Sequence, residues 1–450
     1  MPVRYITVTP ITDLFVPATR SFGDIAIVGA VAGNTHGPKK TPVPITNPLA
    51  VSFQSATRLT TSAATAAGNA TLTFAAVPSA VVPGMAIADL TSTSVIPDGT
   101  FVQSTTATTI VMNQNASGAG VGNGDSIQIG WPNGKPVDDV GWFNGDLGNS
   151  VKTAFAQSPG PTTVWAIATD PNDGANALTN GLNAVAKINV QIVVVANTPL
   201  TGTGAGQGRA AIEALATHCN TVSNTGGDGK ERIGIAMLGN GVTDTTLITA
   251  TMAQNRMAMI AHHSTEDAAA AAAGVISGYP PHISLLLKQI TLDMGSVFSD
   301  SEIDAFNTAR VNWVTRTPLI SNAGFYLGEG YTLGADQPYI DIVRTIDEIS
   351  FALKAALIRS IGVLRVTRAG LRALVAAMTA VLQPLQDNGV IDSYLVFFPL
   401  LVLLDKDPAA LSDVELQEIH DAQATRTVAS IVTIEYAGAI HRLNITLKFE

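Results

Sequence analysis

Three observations predict an α/β fold in more than one domain, with a small all-β module set into it. Apolar strand-like runs alternate with helix-like segments through most of residues 138–330, the order expected of a layered sheet with parallel strands. Between Leu59 and Gly130 the only charges are Asp89, Asp98 and Asp125, and short β-prone pieces recur there between turn signals. At 450 residues the chain exceeds one ordinary core, so length alone predicts two or three domains.

Composition narrows the function classes. The chain is 46% hydrophobic but only 13% charged, against about 25% charged in an average soluble domain. Such a surface suits a protein that buries much of its outside in an assembly, or a secreted β-rich protein. A net charge of −10 excludes nucleic acid as the main partner, because phosphate binding needs clustered cations. One cysteine, Cys219, leaves no internal disulfide framework and fits a reducing compartment. The opening MPVRYITVTP lacks the apolar core of a signal peptide. The most apolar run, Tyr394 to Leu404, is too short to span a bilayer and contains Pro399. It reads as a buried strand, so the chain is expected to be soluble, made in the cytoplasm and not inserted into a membrane.

Taken in order, residues 3–9 (VRYITVT) are β-prone and set apart by Pro10 and Pro17. FGDIAIVGAVAG is a buried-strand run between glycines, and KKTPVPITNP is extended and punctuated by prolines. The pieces NATLTF, GMAIADL, GTFVQST, TTIVMNQ and DSIQIG form the β-rich stretch, taken as an inserted outer domain over 57–131. DLGNSVKTAFAQ reads as a helix, TTVWAIAT as a strand, Leu178 to Ala186 as a short helix and INVQIVVVAN as a buried strand. The loop GTGAGQG opens the helix RAAIEALATHCNTV, and RIGIAML is the next strand. In MAMIAHHSTEDAAAAAAGVISG a strand feeds a small-residue helix, with Ser264 as cap and Asp267 three residues on. Ile342, Ile346, Ile349, Leu353 and Ala356 form an apolar stripe on one helix, read as an ordinary core face. Thr367 caps RAGLRALVAAMTAVLQPLQ, which Gly389 ends; VIDSYLVFFPLLVLL reads as a strand. Ser412 and Glu415 form a capping box for a helix reaching about Thr425. Two alternating segments close the chain, Val428 to Tyr436 and His441 to Phe449, read as a hairpin.

Candidate chemistry is sparse. GTGAGQG sits between a strand and a helix but fits G-x-G-x-x-G in no register, since Gln207 stands where the last glycine belongs. A glycine-rich turn is the plain reading. His262 and His263 are adjacent, so on a strand they point to opposite faces and cannot share one ion. Cys219 beside His218 lies in an apolar helix, as packing cysteines do. No catalytic, cofactor or metal set is expected. Arg365, Arg368 and Arg372 follow i, i+3, i+7 spacing at the amino end of the helix capped by Thr367. The helix dipole disfavours cations there, which hints that something acidic meets them.

Several landmarks recur together: the aiVG-type strand, the P-v-x-itn segment, Ala309-Arg310-Val311-Asn312, Gly324-Phe325-Tyr326 and Arg344-Thr345. In this order they resemble the contractile tail sheath family of tailed phages and related injection machines. The resemblance covers nearly the whole chain outside 57–131. It implies a sheath-type core of mixed sheets flanked by helices, divided as an arm and linker (1–20), a core domain (21–56 and 132–330), the inserted module (57–131) and an inner carboxy-terminal domain (331–450). It further implies a non-enzymatic subunit that polymerises helically around an inner tail tube protein, meets baseplate and terminator proteins, needs no cofactor, and is assembled in the host cytoplasm into a virion tail or injection particle. Contraction would drive the tube through a target envelope. Arg365, Arg368 and Arg372 are then expected to face the tube. Strand exchange between subunits would use Val3, Tyr5, Ile6 and Val8 with Ile434, Tyr436, Leu443, Ile445, Leu447 and Phe449. The rival readings are a surface-layer or capsid component, and a nucleotide-dependent α/β enzyme.

Overall fold

The computed structural model describes residues 23–31, 39–46, 52–92, 94–97, 100–133, 145–224, 229–317, 324–358 and 360–439. They fall into two compact units that divide between Arg344 and Thr345. The fold is mixed α/β.

The larger unit begins with β1 (Asp24–Gly29), whose Ile25, Ala26, Ile27 and Val28 are fully buried. A strand apolar on both faces belongs inside a parallel sheet covered on both sides. After β2 (Val43–Ile45) come β3 (Ser52–Ala63), β4 (Thr71–Phe74), β5 (Ala86–Asp89), β6 (Val102–Thr105), β7 (Thr109–Met112) and β8 (Ser126–Asn133). These six make a separate antiparallel sheet in the order β5-β8-β3-β4-β7-β6. It has its own core, including Leu72, Val102, Ile110, Ile127 and Ile129. Ser52 pairs with Asn133, so the chain enters and leaves this sheet side by side.

The main sheet resumes through α1 (Asp146–Phe155), β9 (Thr163–Ala168), α2 (Ala177–Val185), β10 (Ile192–Leu200), α3 (Arg209–Asn224), β11 (Ile233–Leu238), β12 (Met257–Ala261), α4 (Ala268–Gly278), β13 (Gln289–Ile290), α5 (Asp300–Ala309), β14 (Asn312–Thr315) and β15 (Phe325–Leu327), and α6 (Ile340–Leu357) follows. Nine strands run in the order β13-β15-β14-β12-β11-β10-β1-β9-β2. From β9 to β14 the pairings are parallel, and antiparallel strands close both ends. One face carries α1 and α4, with Leu147, Val151 and Ala268 to Ala273 in its core. The other carries α2, α3 and α5 through Leu182, Leu215 and Phe306.

The alanine run explains α4. Its residues Ala268 to Ser277 are all buried, as a helix apolar all round must be. Small side chains also let it touch α1 backbone to backbone, since a Cβ on Gly274 would lie 2.4 Å from the Ala154 carbonyl oxygen. Ser264 does not cap this helix. Asp267 does, accepting the Ala270 N–H at 2.9 Å, while the Ser264 hydroxyl takes the Glu266 N–H in the turn before it. In α6 the buried stripe is shifted from the expected one. Val343 is fully buried and Ile349 nearly so, but Ile346 is 42% exposed.

The smaller unit takes in α6 from Thr345 on and holds α7 (Arg368–Asp387), β16 (Ile391–Phe397), α8 (Pro399–Asp405), α9 (Asp413–Thr425) and β17 (Ile431–Tyr436). Thr367 caps α7 by accepting the Gly370 N–H, and Gly389 follows its end at φ +68°. The Ser412–Glu415 capping box opens α9. The run expected as one buried strand up to Leu404 instead breaks at Phe398, where β16 gives way to α8. Pro399 stands in the first turn of α8, where its fixed φ and missing N–H start a helix at no cost in hydrogen bonds. Its side chains are also largely half-exposed rather than buried.

Candidate assembly surfaces

The arginine cluster sits where α7 meets α8. Arg368 donates from Nε to the Leu404 carbonyl oxygen at 2.9 Å and lies 2.8 Å from Asp405 Oδ1; Arg372 Nη2 is 3.1 Å from the same oxygen. The acidic group that these cations call for is therefore Asp405 of the same chain. The carboxyl end of α8 adds its own favourable dipole, offsetting the unfavourable one of α7. All three side chains are exposed, so each pair contributes only about 0–1 kcal/mol. Arg365 lies ahead of the cap rather than on the helix, is exposed, and forms no ion pair among the described residues. Beyond Arg372 the exposed positions of α7 are Ala373, Ala376, Ala380, Gln383, Pro384 and Asp387, a face without charge until the last residue of the helix.

The strands β16 and β17 form a two-stranded antiparallel sheet. Inward, Tyr394, Val396, Val432 and Ile434 pack with Ile349 and Leu382. Outward, Leu395 is 61% exposed, Phe397 40% and Ile431 54%, and Phe397 stands directly across from Ile431. Neither strand has a second neighbour among the described residues. Two strands are marginal by themselves, and open edges are templates for a further strand. Of the residues expected to exchange strands, Ile434 and Tyr436 lie on β17, half-buried on its inner side. Val3, Tyr5, Ile6, Val8, Leu443, Ile445, Leu447 and Phe449 lie outside the described residues, as does the second strand of the expected closing hairpin.

The remaining candidates serve the fold. In the glycine-rich loop, Gln207 Oε1 accepts the Gly204 N–H at 2.7 Å and would lie 2.2 Å from a Cβ on Gly202. That side chain occupies the cradle that a phosphate would need. The imidazole of His262 bridges the Leu238 carbonyl oxygen at 3.0 Å and the Ser264 N–H at 3.1 Å; burial pulls its pKa down to about 4. His263 stacks on Phe298. Cys219 is fully buried, and burial pushes its thiol up to about 12, far from a reactive thiolate. No three His, Cys, Asp or Glu side chains converge among the described residues, and no described helix is long and apolar enough to cross a membrane.

A cleft of about 380 Å³ lies near the carboxyl ends of the parallel strands, lined by Asn149, Ser150, Asn197, Glu266 and Asp267 among others. Open α/β sheets bind ligands at such places. The buried Asp267 carboxylate, however, is taken by the Ser150 hydroxyl (2.5 Å), the Asn197 N–H (2.7 Å) and the Ala270 N–H (2.9 Å). It ties α1, β10 and α4 together.

Asn312 is a structural residue whose role sequence reading passed over. Its Nδ2 donates to the carbonyl oxygens of Met259 (3.2 Å) and Tyr331 (2.8 Å), and its Oδ1 accepts the Tyr331 N–H at 2.5 Å. One amide thus stitches β12, β14 and the segment after β15. The signal was an asparagine inside an apolar VNWV run, which must find partners once buried.

No family model and no curated protein sequence matches the chain. Among solved structures, a chain of the anti-feeding prophage baseplate, determined by cryo-electron microscopy, aligns at TM-score 0.52 and 11% identity. The alignment covers 100% of this chain and 99% of that one. A chain of an extracellular contractile injection system, the PVC sheath complex in its contracted state, aligns at TM-score 0.51 and 13% identity over 68% of this chain and 81% of that one. The chain shares the fold of these subunits.

Proposed function

We propose that the chain is the subunit of a contractile sheath, belonging to a phage tail or a related injection particle. The observation that carries this is the fold shared end to end with a chain of the anti-feeding prophage baseplate, and in large part with a chain of a contractile injection system's sheath complex. On this reading many copies polymerise as a helical cylinder around an inner tail tube protein, bounded by baseplate and terminator proteins, after synthesis in the host cytoplasm. Contraction draws its free energy from better burial and pairing between subunits, summed over the cylinder, and drives the tube through a target envelope. No nucleotide enters this scheme.

The exposed apolar residues and open edges of β16 and β17 support strand addition from neighbours, with residues 3–9 as the incoming strand and 10–20 as its tether. The segment around Ile434 and Tyr436 and the following residues to Phe449 complete the pairing. The weakly charged face of α7 is assigned to the tube. Arg365 replaces Arg368 and Arg372 as the cation most available to it, because the latter two are engaged by Asp405. The division into 1–20, 21–56 with 132–330, 57–131 and 331–450 remains the working scheme, with the antiparallel sheet as an outer module.

Negative-stain microscopy of the purified protein tests the reading. Hollow helical cylinders are expected; flat sheets or closed shells would point to a surface-layer or capsid protein instead. Charge reversal of Arg365 should then weaken co-assembly with the tube protein while leaving empty cylinders unchanged.

A further inference from the structure

The antiparallel module places two of its three acidic residues together. Asp89 ends β5 and Asp125 immediately precedes β8, the strand that pairs with β5. Both residues are buried, at 4% and 8% exposure, and the Leu90 N–H bonds the Ser126 carbonyl oxygen at 2.9 Å, so the residues next to the two aspartates are joined directly across the ends of β5 and β8. In a stretch from Leu59 to Gly130 that has no lysine, arginine or histidine, this juxtaposition is not a salt bridge.

One oxygen of each carboxyl is engaged by backbone donors. Asp89 Oδ1 accepts the N–H groups of Thr91 (2.8 Å) and Ser92 (2.9 Å), and Asp125 Oδ2 accepts the Gly122 N–H at 2.6 Å. Backbone donors of this kind favour the charged form. Asp89 Oδ2, in contrast, is fully buried and receives no donor. Burial, with the Asp125 charge adding to it, raises the Asp89 carboxyl above its ordinary range. Two anions that face one another without a counter-cation are destabilising, and the module's one basic side chain, Arg58, is exposed on β3 and forms no ion pair with them among the described residues.

The surrounding loops are held in place independently. Thr61 Oγ1 donates to the Gly122 carbonyl oxygen at 2.7 Å and accepts the Asp125 N–H at 2.9 Å. Thr91 Oγ1 accepts the Ser126 N–H at 2.9 Å. Both carboxylates therefore stand on braced turns.

We propose that Asp89 and Asp125 form a binding site for a hard divalent cation of the calcium type, which bridges the two β5–β8 turns and neutralises the pair. Carboxylate oxygens are the ligands such ions prefer, and main-chain and water oxygens complete their shells in sites with few acidic side chains. With two carboxylates the site belongs to the weak class, with a dissociation constant of about 0.1–1 mM. The ion would tie the two turns to each other. This inference does not depend on the sheath reading.

Calorimetric titration of the full chain, stripped with chelator and titrated with calcium chloride at pH 7.5, tests it. One equivalent should bind in that range, and 10 mM calcium should raise an unfolding transition by about 4 °C. Asp89→Asn and Asp125→Asn should each abolish both effects. If wild-type protein gives neither binding heat nor a shift with calcium or magnesium, the site does not exist and the pair shares a proton instead. A calcium effect that survives both substitutions would place the ion elsewhere and equally overturn the proposal. The wild-type titration decides the matter even where one variant fails to fold.

Discussion

The two sheets that carry parallel and antiparallel strands at opposite ends of the chain are finished to different degrees. In the larger unit, β11 and β12 are buried at every position, and helices cover both faces. In the smaller, β17 alternates exposed and half-buried along its whole length, and its partner β16 is the only strand beside it among the described residues. The first sheet satisfies its backbone and its apolar surface within the chain. The second leaves both partly open, the condition in which a second chain can complete it. On the proposed reading, stability and assembly reside in different parts of one sequence, and perturbing each should give different readouts.

The largest effect is expected at the open sheet. Removing residues 1–10 should leave a folded, soluble subunit whose thermal transition is unchanged, while cylinders disappear from negative-stain fields and from the pellet after ultracentrifugation. Normal cylinders from the truncated chain would show that the edges of β16 and β17 are not completed by this segment.

At the closed sheet the readout is stability. Asn312→Ala strands the Tyr331 N–H and two carbonyl oxygens in the core, and each buried orphan costs about 1–3 kcal/mol. A loss of about 3 kcal/mol in denaturant unfolding is expected. A loss below about 0.5 kcal/mol, the range of an ordinary surface change, would mean the stitch is not holding β12 to β14.

Acid should find the same sheet through His262. Its folded pKa, about 4, lies below the unfolded value of 6.5 because the neutral ring is buried between Leu238 and Ser264. The unfolded chain then binds the extra proton first, so stability is full above about pH 6.5 and falls as pH drops toward 4. The contribution is on the order of 3 kcal/mol over that window. Melting temperatures measured from pH 7.5 to 4.5 should fall, with a shallower slope in His262→Gln. Equal slopes would show that another group drives the acid limb.

Much of this division was legible in the sequence. Runs such as INVQIVVVAN and MAMIA declare strands buried on both faces, and the capping residues Thr367 and Ser412 with Glu415 fix two helix starts by local chemistry alone. The VIDSYLVFFPLLVLL stretch does not declare its break, because apolarity without period does not separate a strand from a short helix, and Pro399 is the start signal within it. Asp405 could not be paired with Arg368 and Arg372 from sequence. They lie 33 or more residues apart, and only the α7–α8 packing brings them together. Of the open sheet, the amphipathic β17 was visible. The exposed outer pair Phe397 and Ile431 depended on a register that no local pattern fixes.

The smallest expected effect compares the two units directly, because each contains one helix built on the same plan. Both α5 and α9 open on Ser-Asp-x-Glu, with Glu302 accepting the Ser299 N–H and Glu415 the Ser412 N–H. Both end on an arginine in the left-handed region, Arg310 at φ +54° and Arg426 at φ +54°. At α5 the closure is a Schellman turn. The Val311 N–H reaches the Phe306 carbonyl oxygen at 2.9 Å, and Val311 and Phe306 are both fully buried. A side chain with a Cβ is strained in that conformation by about 1–2 kcal/mol, and glycine is not. Glycine also loses more freedom on folding, which offsets about 0.5–1 kcal/mol of the gain. Arg310→Gly and Arg426→Gly should therefore each stabilise the protein by about 0.5–1 kcal/mol, read as a rise in denaturant midpoint with unchanged slope. The gain should be alike in the two units, since the strain is local and indifferent to what the surrounding sheet leaves open. A gain at Arg310 paired with a loss of cylinders at Arg426 would instead place the Arg426 side chain in a contact between subunits.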